Sequence, residues 1–323
     1  MFYYAIISRM RQITDTIMMI KPSSFRYNEE TAANNHYQKR LDMSHDLDVH
    51  STAIYEFKSF VTKLKNKGVD IILIDDKCNS KTPDSIFPNN WVSFHKDGTV
   101  VLYPMFAENR RQERRDDILE LLVDSYNFRI NRVKDYTSFE NKSIFLEGTG
   151  SMVLDRVNRI CYAAISIRTH KEAVMHFCEE MKYKPLCFKA KQKTNKGIFD
   201  IYHTNVMMCV ADEYSIICLD SIHNKKERDL VVDSLESTGK EIIEISESQK
   251  CNFAGNMLQV QGDKKYLVMS DSAYYSLSKK QKNQIHKYNS IIHSDLTMIE
   301  TAGGGSARCM MAEVFLPNKN NGI

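Results

Sequence analysis

Apolar runs that turn back on themselves recur along this chain, each with a short polar or glycine turn in its middle. The first clear example is WVSFHKDGTVVLYPM at residues 91–105, where Asp97-Gly98 is a typical β-hairpin turn. Four comparable stretches follow, beginning at Ser151, Val206, Met257 and Cys309. Successive starts are 60, 55, 51 and 52 residues apart, and this regular spacing indicates a repeated structural unit.

Amphipathic stretches with a helical period lie between these hairpins. Residues 107–127 place Ile118 and Leu122 near one face, and residues 169–181 begin at Thr169 with a glutamate three positions on, as in a capping box. Later units have NKKERDLVVDSLES and SKKQKNQIHKYN in the same place. The pattern therefore predicts units of strand, strand, helix and strand, five of which would form a closed ring. The alternative is an ordinary α/β sheet with hairpins at chance spacing.

The composition is that of a folded globular protein. Of the 323 residues, 42% are hydrophobic and 26% are charged, which excludes a disordered or fibrous chain and allows one large or two ordinary domains. The net charge of +3 is spread without a dense basic block, so neither nucleic acid nor a membrane surface is an expected partner. We expect a small-molecule ligand, and a homo-oligomer is compatible with this composition. The repeat favours a single domain over residues 14–318.

Cysteine usage and the N-terminal residues suggest a location. The eight cysteines include no C-x-x-C pair, which argues against a zinc site or a disulfide framework and favours a reducing, cytoplasmic setting. They occur at Cys78, Cys161, Cys178, Cys187, Cys209, Cys218, Cys251 and Cys309. Residues 1–13 resemble a targeting signal only weakly, so we interpret them as a leader or a poorly ordered N-terminus. No stretch approaches the roughly 18 apolar residues that span a bilayer.

The most unusual residues lie just before each hairpin. These segments are FPNN (87–90), LEGTG (146–150), YHTN (202–205), NFAGN (252–256) and AGGGSAR (302–308). If the five units surround an axis, the starts of their first strands converge and bring together a thiol, an imidazole, a carboxylate and amides. The residues expected to meet in this way are Asn90, Glu147, His203, Asn205 and Cys309.

Cys309 is the best candidate for a nucleophile. It follows the triple glycine 303–305, which would let a substrate approach the backbone closely, and Arg308 beside it would favour the thiolate. A histidine such as His203 can transfer protons near neutral pH, and Glu147 stands before a Gly-Thr-Gly loop. Each residue also has an ordinary structural interpretation, as a buried cysteine, a hydrogen-bonded histidine or a turn glutamate.

At these residues the sequence resembles the penteins, a guanidine-modifying superfamily that includes arginine deiminases, amidinotransferases and dimethylarginine dimethylaminohydrolases. PDSIFPNN resembles a dimethylarginine hydrolase motif whose last two positions are acidic, and LEGTG, SIRT (166–169) and YHTN resemble three further motifs. IKPSSFRYNEETAANN and ETAGGGSARCMMAEVF are closer to the citrulline utilization hydrolases, an amidinotransferase-like branch. The resemblance covers Thr14 to Pro317 and implies an α/β, five-bladed propeller of ββαβ units with pseudo-five-fold symmetry.

The resemblance also implies roles for individual residues. Cys309 would attack the ureido or guanidino carbon, His203 would transfer protons, and Glu147 would hold a substrate nitrogen and stabilise the protonated histidine. Arg168 would bind the α-carboxylate of the substrate, for which a bidentate guanidinium is well suited. Arg110 is a second candidate for that carboxylate, with a solvated charge on a helix face as the alternative.

Asparagine replaces the expected carboxylates of guanidinium-binding relatives at Asn89, Asn90 and Asn205. A buried carboxylate is best compensated by a cation, whereas an amide offers both an acceptor and a donor, which suits a neutral ureido group. The sequence therefore favours citrulline, hydrolysed to ornithine, ammonia and CO2 through a thiocarbamate on Cys309. This chemistry implies no metal and no organic cofactor. Because Asp84 and Glu147 remain, an arginine-type substrate stays open.

Three alternatives and one mobile element complete the predictions. Within the enzyme class, the alternatives are hydrolysis of arginine or methylarginine and amidino transfer to a second amine. The alternative from a different class of function is a binding protein, a pentein without catalytic activity. The polar segment 25–38, FRYNEETAANNHYQ, is predicted to be a lid in which Phe25 or Tyr37 excludes water, or else a surface loop with a helix start.

Overall fold

The computed structural model describes residues 10–41, 46–77, 81–194 and 197–319. Most of the predicted leader, residues 1–9, lies outside these ranges, as does Cys78. Gln12 is buried, and its side-chain amide donates to the carbonyl oxygens of Leu154 at 2.9 Å and Val210 at 3.1 Å. The chain is thus packed against the fold two residues before Thr14, and the predicted domain boundary stays a prediction.

The described residues form five small three-stranded sheets and one separate hairpin. The sheets contain β1 (Thr16–Lys21), β2 (Asp70–Asp75) and β17 (Ala312–Glu313); β3 (Val92–Phe94), β4 (Thr99–Leu102) and β5 (Arg132–Asp135); β6 (Val153–Asp155), β7 (Ile160–Ala164) and β8 (Lys184–Phe188); β11 (Met208–Val210), β12 (Tyr214–Ile217) and β13 (Glu241–Glu244); and β14 (Leu258–Gln261), β15 (Lys265–Ser270) and β16 (Ser290–Ser294). The separate hairpin is β9 (Lys191–Thr194) with β10 (Gly197–Asp200).

All five sheets share one pairing pattern. The first strand pairs antiparallel with the second, and the second pairs parallel with the third, as in β3, β4 and β5. In four of the sheets the antiparallel pair is joined by a tight turn, whereas the parallel pair needs a longer crossover, which contains a helix. The hairpins predicted at residue 91, Ser151, Val206 and Met257 are confirmed. The stretch at Cys309 supplies only one strand, β17, whose antiparallel partner is β1.

Ten α-helices occur in the described residues, mostly in these crossovers. They are α1 (Glu29–Ala32), α2 (Asp46–Lys65), α3 (Glu108–Arg111), α4 (Asp116–Asp124), α5 (Gly148–Ser151), α6 (Lys171–Met181), α7 (Lys225–Ser237), α8 (Glu247–Cys251), α9 (Asp271–Ser276) and α10 (Lys279–His286). Asn224 caps α7, and Ser278 with Gln281 forms a capping box at α10.

Two helix predictions need correction. Residues 107–127 form two helices, α3 and α4, instead of one. The N-cap of α6 is His170 and not Thr169, whose hydroxyl donates instead to the carbonyl oxygen of Tyr202 at 3.4 Å. The local pattern assigns the side chain of Thr169 to a helix cap, but this side chain forms a tertiary hydrogen bond instead.

Apolar side chains from neighbouring sheets pack together in shared clusters. Tyr162 of β7, Ile216 of β12 and Leu267 of β15 belong to the same buried cluster, together with Val231 of α7. The fold is therefore a mixed α/β fold of small sheets that pack together, with amphipathic helices against them. No helix in the described ranges is long and apolar enough to cross a membrane.

A single helical turn precedes the first strand in at least four of the sheets. The backbone N–H of Trp91, Met207 and Met311 donates to the carbonyl oxygen three residues earlier, and Met152 donates four residues back to Gly148. These turns contain the segments that the sequence marks as unusual. The repeated turn is the feature that positions the site.

Candidate active site

Three turn segments place the predicted catalytic side chains. Cys309 lies in the turn Ala307–Met310, His203 is the N-cap of the turn Thr204–Val206, and Glu147 is the N-cap of α5. Cys309 and His203 line one small cavity. The other lining residues are Thr31, Asn35, Asp84, Phe87, Asn90, Arg110, Arg168, Tyr202 and Gly303 to Gly305.

The thiol of Cys309 lies between two asparagine amides. Its side chain is buried, and Sγ is 3.2 Å from Nδ2 of Asn256 and 3.7 Å from Nδ2 of Asn205. The oxygen of Asn256 accepts the backbone N–H of Arg308 at 3.1 Å, which directs the amide nitrogen toward the sulfur. The thiol therefore has an N–H donor within hydrogen-bond distance.

Asn256 is not predicted as a site residue from the sequence, although its position in the chain indicates one. It ends the segment NFAGN, directly before the fourth hairpin, as Asn90 and Asn205 end theirs. Arg308 does not face the thiol in the predicted way. Its guanidinium donates to Glu313 at 2.8 Å and to the carbonyl oxygen of Met311 at 2.7 Å, so Glu313 compensates its charge.

His203 and Glu147 form a buried pair. His203 Nε2 lies 2.7 Å from Glu147 Oε2, and Oε1 of the same carboxylate accepts the backbone N–H of Phe106 at 3.0 Å. Burial alone raises the pKa of Glu147, but Arg168 and the bond to His203 outweigh it and hold the pKa below its usual value. Burial lowers the pKa of His203, although Glu147 opposes this effect. At neutral pH the pair is a carboxylate and a neutral imidazole.

The tautomer of His203 follows from its partner. A carboxylate only accepts, so the proton of the neutral imidazole lies on Nε2, and Nδ1 is the basic nitrogen. Gly150 leaves room for this ring, because a Cβ at that position would lie 2.9 Å from both Nδ1 and Cε1 of His203. The imidazole therefore has a free basic nitrogen in the same cavity as the thiol.

Arg110 is buried, so its interpretation as a solvated charge on a helix face is wrong. It binds Glu113 through Nε at 2.9 Å and Nη2 at 2.8 Å, and Nη1 donates to Oδ1 of Asn90 at 2.8 Å. These bonds leave no free fork for a substrate carboxylate. Arg110 nevertheless lines the cavity, so its role as a second partner of the substrate carboxylate stays a prediction.

Arg168 connects the His203–Glu147 pair to the segment 25–38. Its Nε donates to Oδ1 of Asn34 at 2.6 Å, and its Nη2 donates to the same oxygen and to the carbonyl oxygen of Thr31. Its Nη1 lies 3.5 Å from Oε2 of Glu147. The side-chain oxygen of Asn34 thus binds the paired Nε and Nη2 donors of Arg168, which the sequence analysis assigns to the substrate carboxylate.

Asp84 lies in the cavity with one oxygen engaged. Its Oδ2 accepts the side chains of Asn28 at 2.8 Å and Thr31 at 3.1 Å, while Oδ1 has no hydrogen-bond partner among the described residues. Burial raises the pKa of Asp84, although Arg110 opposes the effect. A buried oxygen of this kind is an available acceptor for a substrate N–H.

The three asparagines have different positions. Asn90 lines the cavity, whereas Asn205 contacts the sulfur of Cys309 without being among the residues that line this cavity. Asn89 does neither, because it is fully buried and its Nδ2 donates to the hydroxyl of Thr149 at 3.3 Å. Direct contact with substrate in this cavity is therefore available to Asn90 and not to Asn89.

The segment 25–38 covers the site. Asn35 donates to the carbonyl oxygens of Gly303 and Gly304, and Gln38 donates to that of Ala302. Phe25 is buried, and the ring of Tyr37 packs 5.1 Å from that of Phe253. This position agrees with a lid, while opening of the lid stays a prediction.

The remaining cysteines are free thiols in the described part of the chain. Cys161, Cys178, Cys209 and Cys218 are buried, whereas Cys251 is exposed. Within the described ranges, no group of three or more His, Cys, Asp or Glu residues is placed to hold a metal ion.

Comparison with protein-family profiles shows the family to which the chain belongs. The profile described as N,N dimethylarginine dimethylhydrolase, eukaryotic, matches residues 21–316. The chain belongs to this family. Membership supports the predicted relation to the penteins and a cysteine-dependent hydrolase, and it leaves no support for the alternative of a silent binding protein. No curated protein sequence matches this one.

Solved structures of related proteins share the fold at low sequence identity. Apo ArgZ, an arginine dihydrolase from the ornithine-ammonia cycle in cyanobacteria, is 16% identical with a TM-score of 0.69, over 95% of this chain and 41% of that chain. This chain therefore spans about two fifths of the length of ArgZ. The N-terminal domain of ArgZ bound to product is 16% identical with a TM-score of 0.68, over 96% of this chain and 100% of that chain. A dimethylarginine dimethylaminohydrolase adduct with S-methyl-L-thiocitrulline is 16% identical with a TM-score of 0.62, over 92% and 98% of the two chains.

Proposed function

We propose that this protein hydrolyses a ureido amino acid, citrulline, to ornithine, ammonia and CO2 through a covalent intermediate on Cys309. The supporting observation is the orientation of the Asn90 amide. Its oxygen accepts from Arg110, and its NH2 group has no partner among the described residues. A ureido group offers a carbonyl oxygen to such a donor, whereas a guanidinium offers only N–H donors.

The first half-reaction forms a thiocarbamate. The sulfur of Cys309 attacks the ureido carbon while its thiol proton passes to Nδ1 of neutral His203, and the Asn90 NH2 group would stabilise the resulting oxyanion. The terminal nitrogen accepts a proton and leaves as ammonia, and His203 is the group that delivers this proton. Glu147 stabilises the imidazolium that precedes the delivery, because it accepts the Nε2 proton.

The second half-reaction uses water. Neutral His203 takes a proton from water at Nδ1, and the hydroxide attacks the thiocarbamate carbon. The carbon–sulfur bond breaks, Cys309 regains its proton, and the released N-carboxy amine loses CO2 to give ornithine. Overall, citrulline and one water give ornithine, ammonia and CO2, and no oxidant or reductant enters.

Arg168 is the proposed partner of the substrate α-carboxylate. Its Nε and Nη2 both donate to the single oxygen of Asn34, and a carboxylate is the better acceptor for such a fork. Substrate binding would then displace Asn34. Because Asn34 lies in the segment 25–38, recognition of the carboxylate would be coupled to movement of the lid.

A second candidate function is hydrolysis of a guanidino amino acid such as arginine in the same cavity. The unpartnered Oδ1 of buried Asp84 supports it, since a carboxylate is a suitable acceptor for a guanidinium. Arginine would release ammonia and give citrulline, which the same thiol chemistry could process further. ArgZ, a structural neighbour, is an arginine dihydrolase.

We also propose how the five sheets are arranged relative to one another. We infer that the five sheets surround a pseudo-five-fold axis, as in a pentein propeller formed by residues 14–318. Contacts between first strands support the ring, because β6 contacts β11, β11 contacts β14, and β17 contacts β3. Membership of the citrulline utilization branch and a cytoplasmic location belong to the same proposal.

The deciding experiment is a product assay on citrulline, arginine and methylarginine with purified protein. Ornithine from citrulline supports the main proposal, whereas citrulline accumulating from arginine supports a deiminase. Cys309→Ser is the control, and intact-protein mass spectrometry of wild type quenched during turnover should show the thiocarbamate. Ammonia release from citrulline that persists in Cys309→Ser would show that this mechanism is wrong.

A further inference from the structure

We propose that Arg110 and Glu113 are positioning residues that fix the orientation of the Asn90 amide and thereby favour a ureido over a guanidino substrate. This inference rests on the proposed function, because it concerns the same cavity and the same two substrate classes. Neither Arg110 nor Glu113 needs to touch the substrate for this role.

Arg110 is held on two sides. Nε and Nη2 form a bidentate pair with the Glu113 carboxylate at 2.9 and 2.8 Å. Nη1 donates to Oδ1 of Asn90 at 2.8 Å, and Nη2 also donates to the carbonyl oxygen of Phe87 at 3.1 Å. One planar group therefore holds both the main chain and a side chain of the segment FPNN (87–90).

The chemistry of arginine decides which end of the amide faces it. A guanidinium has donors only, so the atom of Asn90 bound to Arg110 must be the oxygen. The NH2 end has no partner among the described residues and lies near the ring of His203, since a Cβ on Gly150 would be 2.4 Å from Nδ2 of Asn90 and 2.9 Å from Nδ1 of His203. That end complements the oxygen of a ureido group and opposes the N–H groups of a guanidinium.

Glu113 keeps Arg110 in this place. The two side chains are 2% and 0% exposed, so water compensates neither charge. A second carboxylate, Asp84, has its Oδ2 3.9 Å from Nε of Arg110. Without the Glu113 carboxylate, we expect the guanidinium to turn toward Asp84 and to release Asn90, whose amide is then free to flip.

The test compares kcat/KM for citrulline with kcat/KM for arginine in Arg110→Lys and Glu113→Gln. We expect the ratio to fall about tenfold or more in each, because a mispaired buried donor replaces a hydrogen bond. Arg114→Lys is the matched control. Arg114 also forms a bidentate pair, with Glu140, but it makes no contact with Asn90.

A double-mutant cycle separates positioning from general damage. If Arg110 acts through Asn90, adding Arg110→Lys to Asn90→Ala should not lower the ratio further. An equal fall in the Asn90→Ala background, or a ratio that changes no more than in Arg114→Lys, would overturn the proposal. Because a buried arginine can be needed for folding, Glu113→Gln gives the same readout from the partner side.

Failure of the proposed function would give a different result from failure of the positioning role. Wild type that makes no ornithine from citrulline contradicts the function, whatever the variants do. In that case, the affinities of citrulline and arginine are measured in Cys309→Ser with and without Arg110→Lys. An unchanged ratio of the two affinities then contradicts the positioning role, and a ratio shifted toward arginine supports it.

Discussion

His203 Nε2 lies 2.7 Å from Glu147 Oε2, and both side chains are buried. This pairing sets the protonation states on which the proposed chemistry depends. The carboxylate is ionised and the imidazole is neutral, with its proton on Nε2 and its basic nitrogen at Nδ1. Four predictions follow from this pair and from the contacts around it.

Glu147→Gln should move the acid limb of the pH profile downward. Glu147 raises the pKa of His203 against the lowering effect of burial, so losing the carboxylate makes the imidazole harder to protonate. In wild type, kcat/KM should persist below pH 6.5 and fall as His203 is protonated. In the variant, that fall should begin at a lower pH, and the maximal rate should drop roughly a hundredfold. Glu244→Gln, on an exposed side chain, is the control, and a limb shifted to higher pH contradicts the assignment.

Asn256→Leu should slow both turnover and alkylation of Cys309. The variant removes the N–H donor 3.2 Å from Sγ while keeping a similar volume. Because a hydrogen bond to a charged group is lost, we expect kcat/KM to fall about ten- to a hundredfold. The rate of alkylation of Cys309 by iodoacetamide at fixed pH should fall by a similar factor. Asn252→Ala is the control, because Asn252 is exposed and its side chain bonds only to the carbonyl oxygen of Ser248 among the described contacts. Unchanged alkylation would rule out the role.

Asn34→Asp should raise KM for citrulline. A carboxylate at this position would occupy the Arg168 fork permanently, in competition with the substrate α-carboxylate. We expect KM to rise about tenfold with kcat little changed, and Asn34→Ala should not raise it. A decarboxylated citrulline analogue, measured as a competitive inhibitor, should bind both forms equally. Weaker binding of that analogue by Asn34→Asp would place the effect outside carboxylate recognition.

Gly304→Ala should weaken substrate binding more than Gly239→Ala does. Both glycines have positive φ, +63° and +75°, so both substitutions should destabilise the fold by roughly 1 to 2 kcal/mol. A Cβ at Gly304 would also press on Gln38 at 2.6 Å, whereas a Cβ at Gly239 meets nothing within 4 Å. Chemical denaturation should show a loss of stability in both variants, larger in Gly304→Ala because of this close contact, and KM for citrulline should rise only in Gly304→Ala. Equal KM values would mean that the segment 25–38 adjusts freely.

Local patterns in the sequence predicted much of the fold. Four hairpins, the capped helices α7 and α10, and the amphipathic character of α4 and α6 all follow from spacing and turn chemistry within about fifteen residues. The helix break between α3 and α4 and the absence of a cap at Thr169 do not. In both regions, side chains form tertiary hydrogen bonds, Arg110 with Asn90 and Thr169 with the carbonyl oxygen of Tyr202.

The sequence by itself determined which chemical groups stand before the hairpins, because each repeat carries its own turn and its own polar residue. It thereby pointed to Cys309, His203 and Glu147 and to asparagines in place of carboxylates. Only the tertiary structure decided what each asparagine does. Asn90, Asn205 and Asn256 receive their roles from Arg110, Cys309 and the backbone of Arg308. Those partners lie far away in sequence, and amide orientation depends on which donor or acceptor folding brings within about 3 Å.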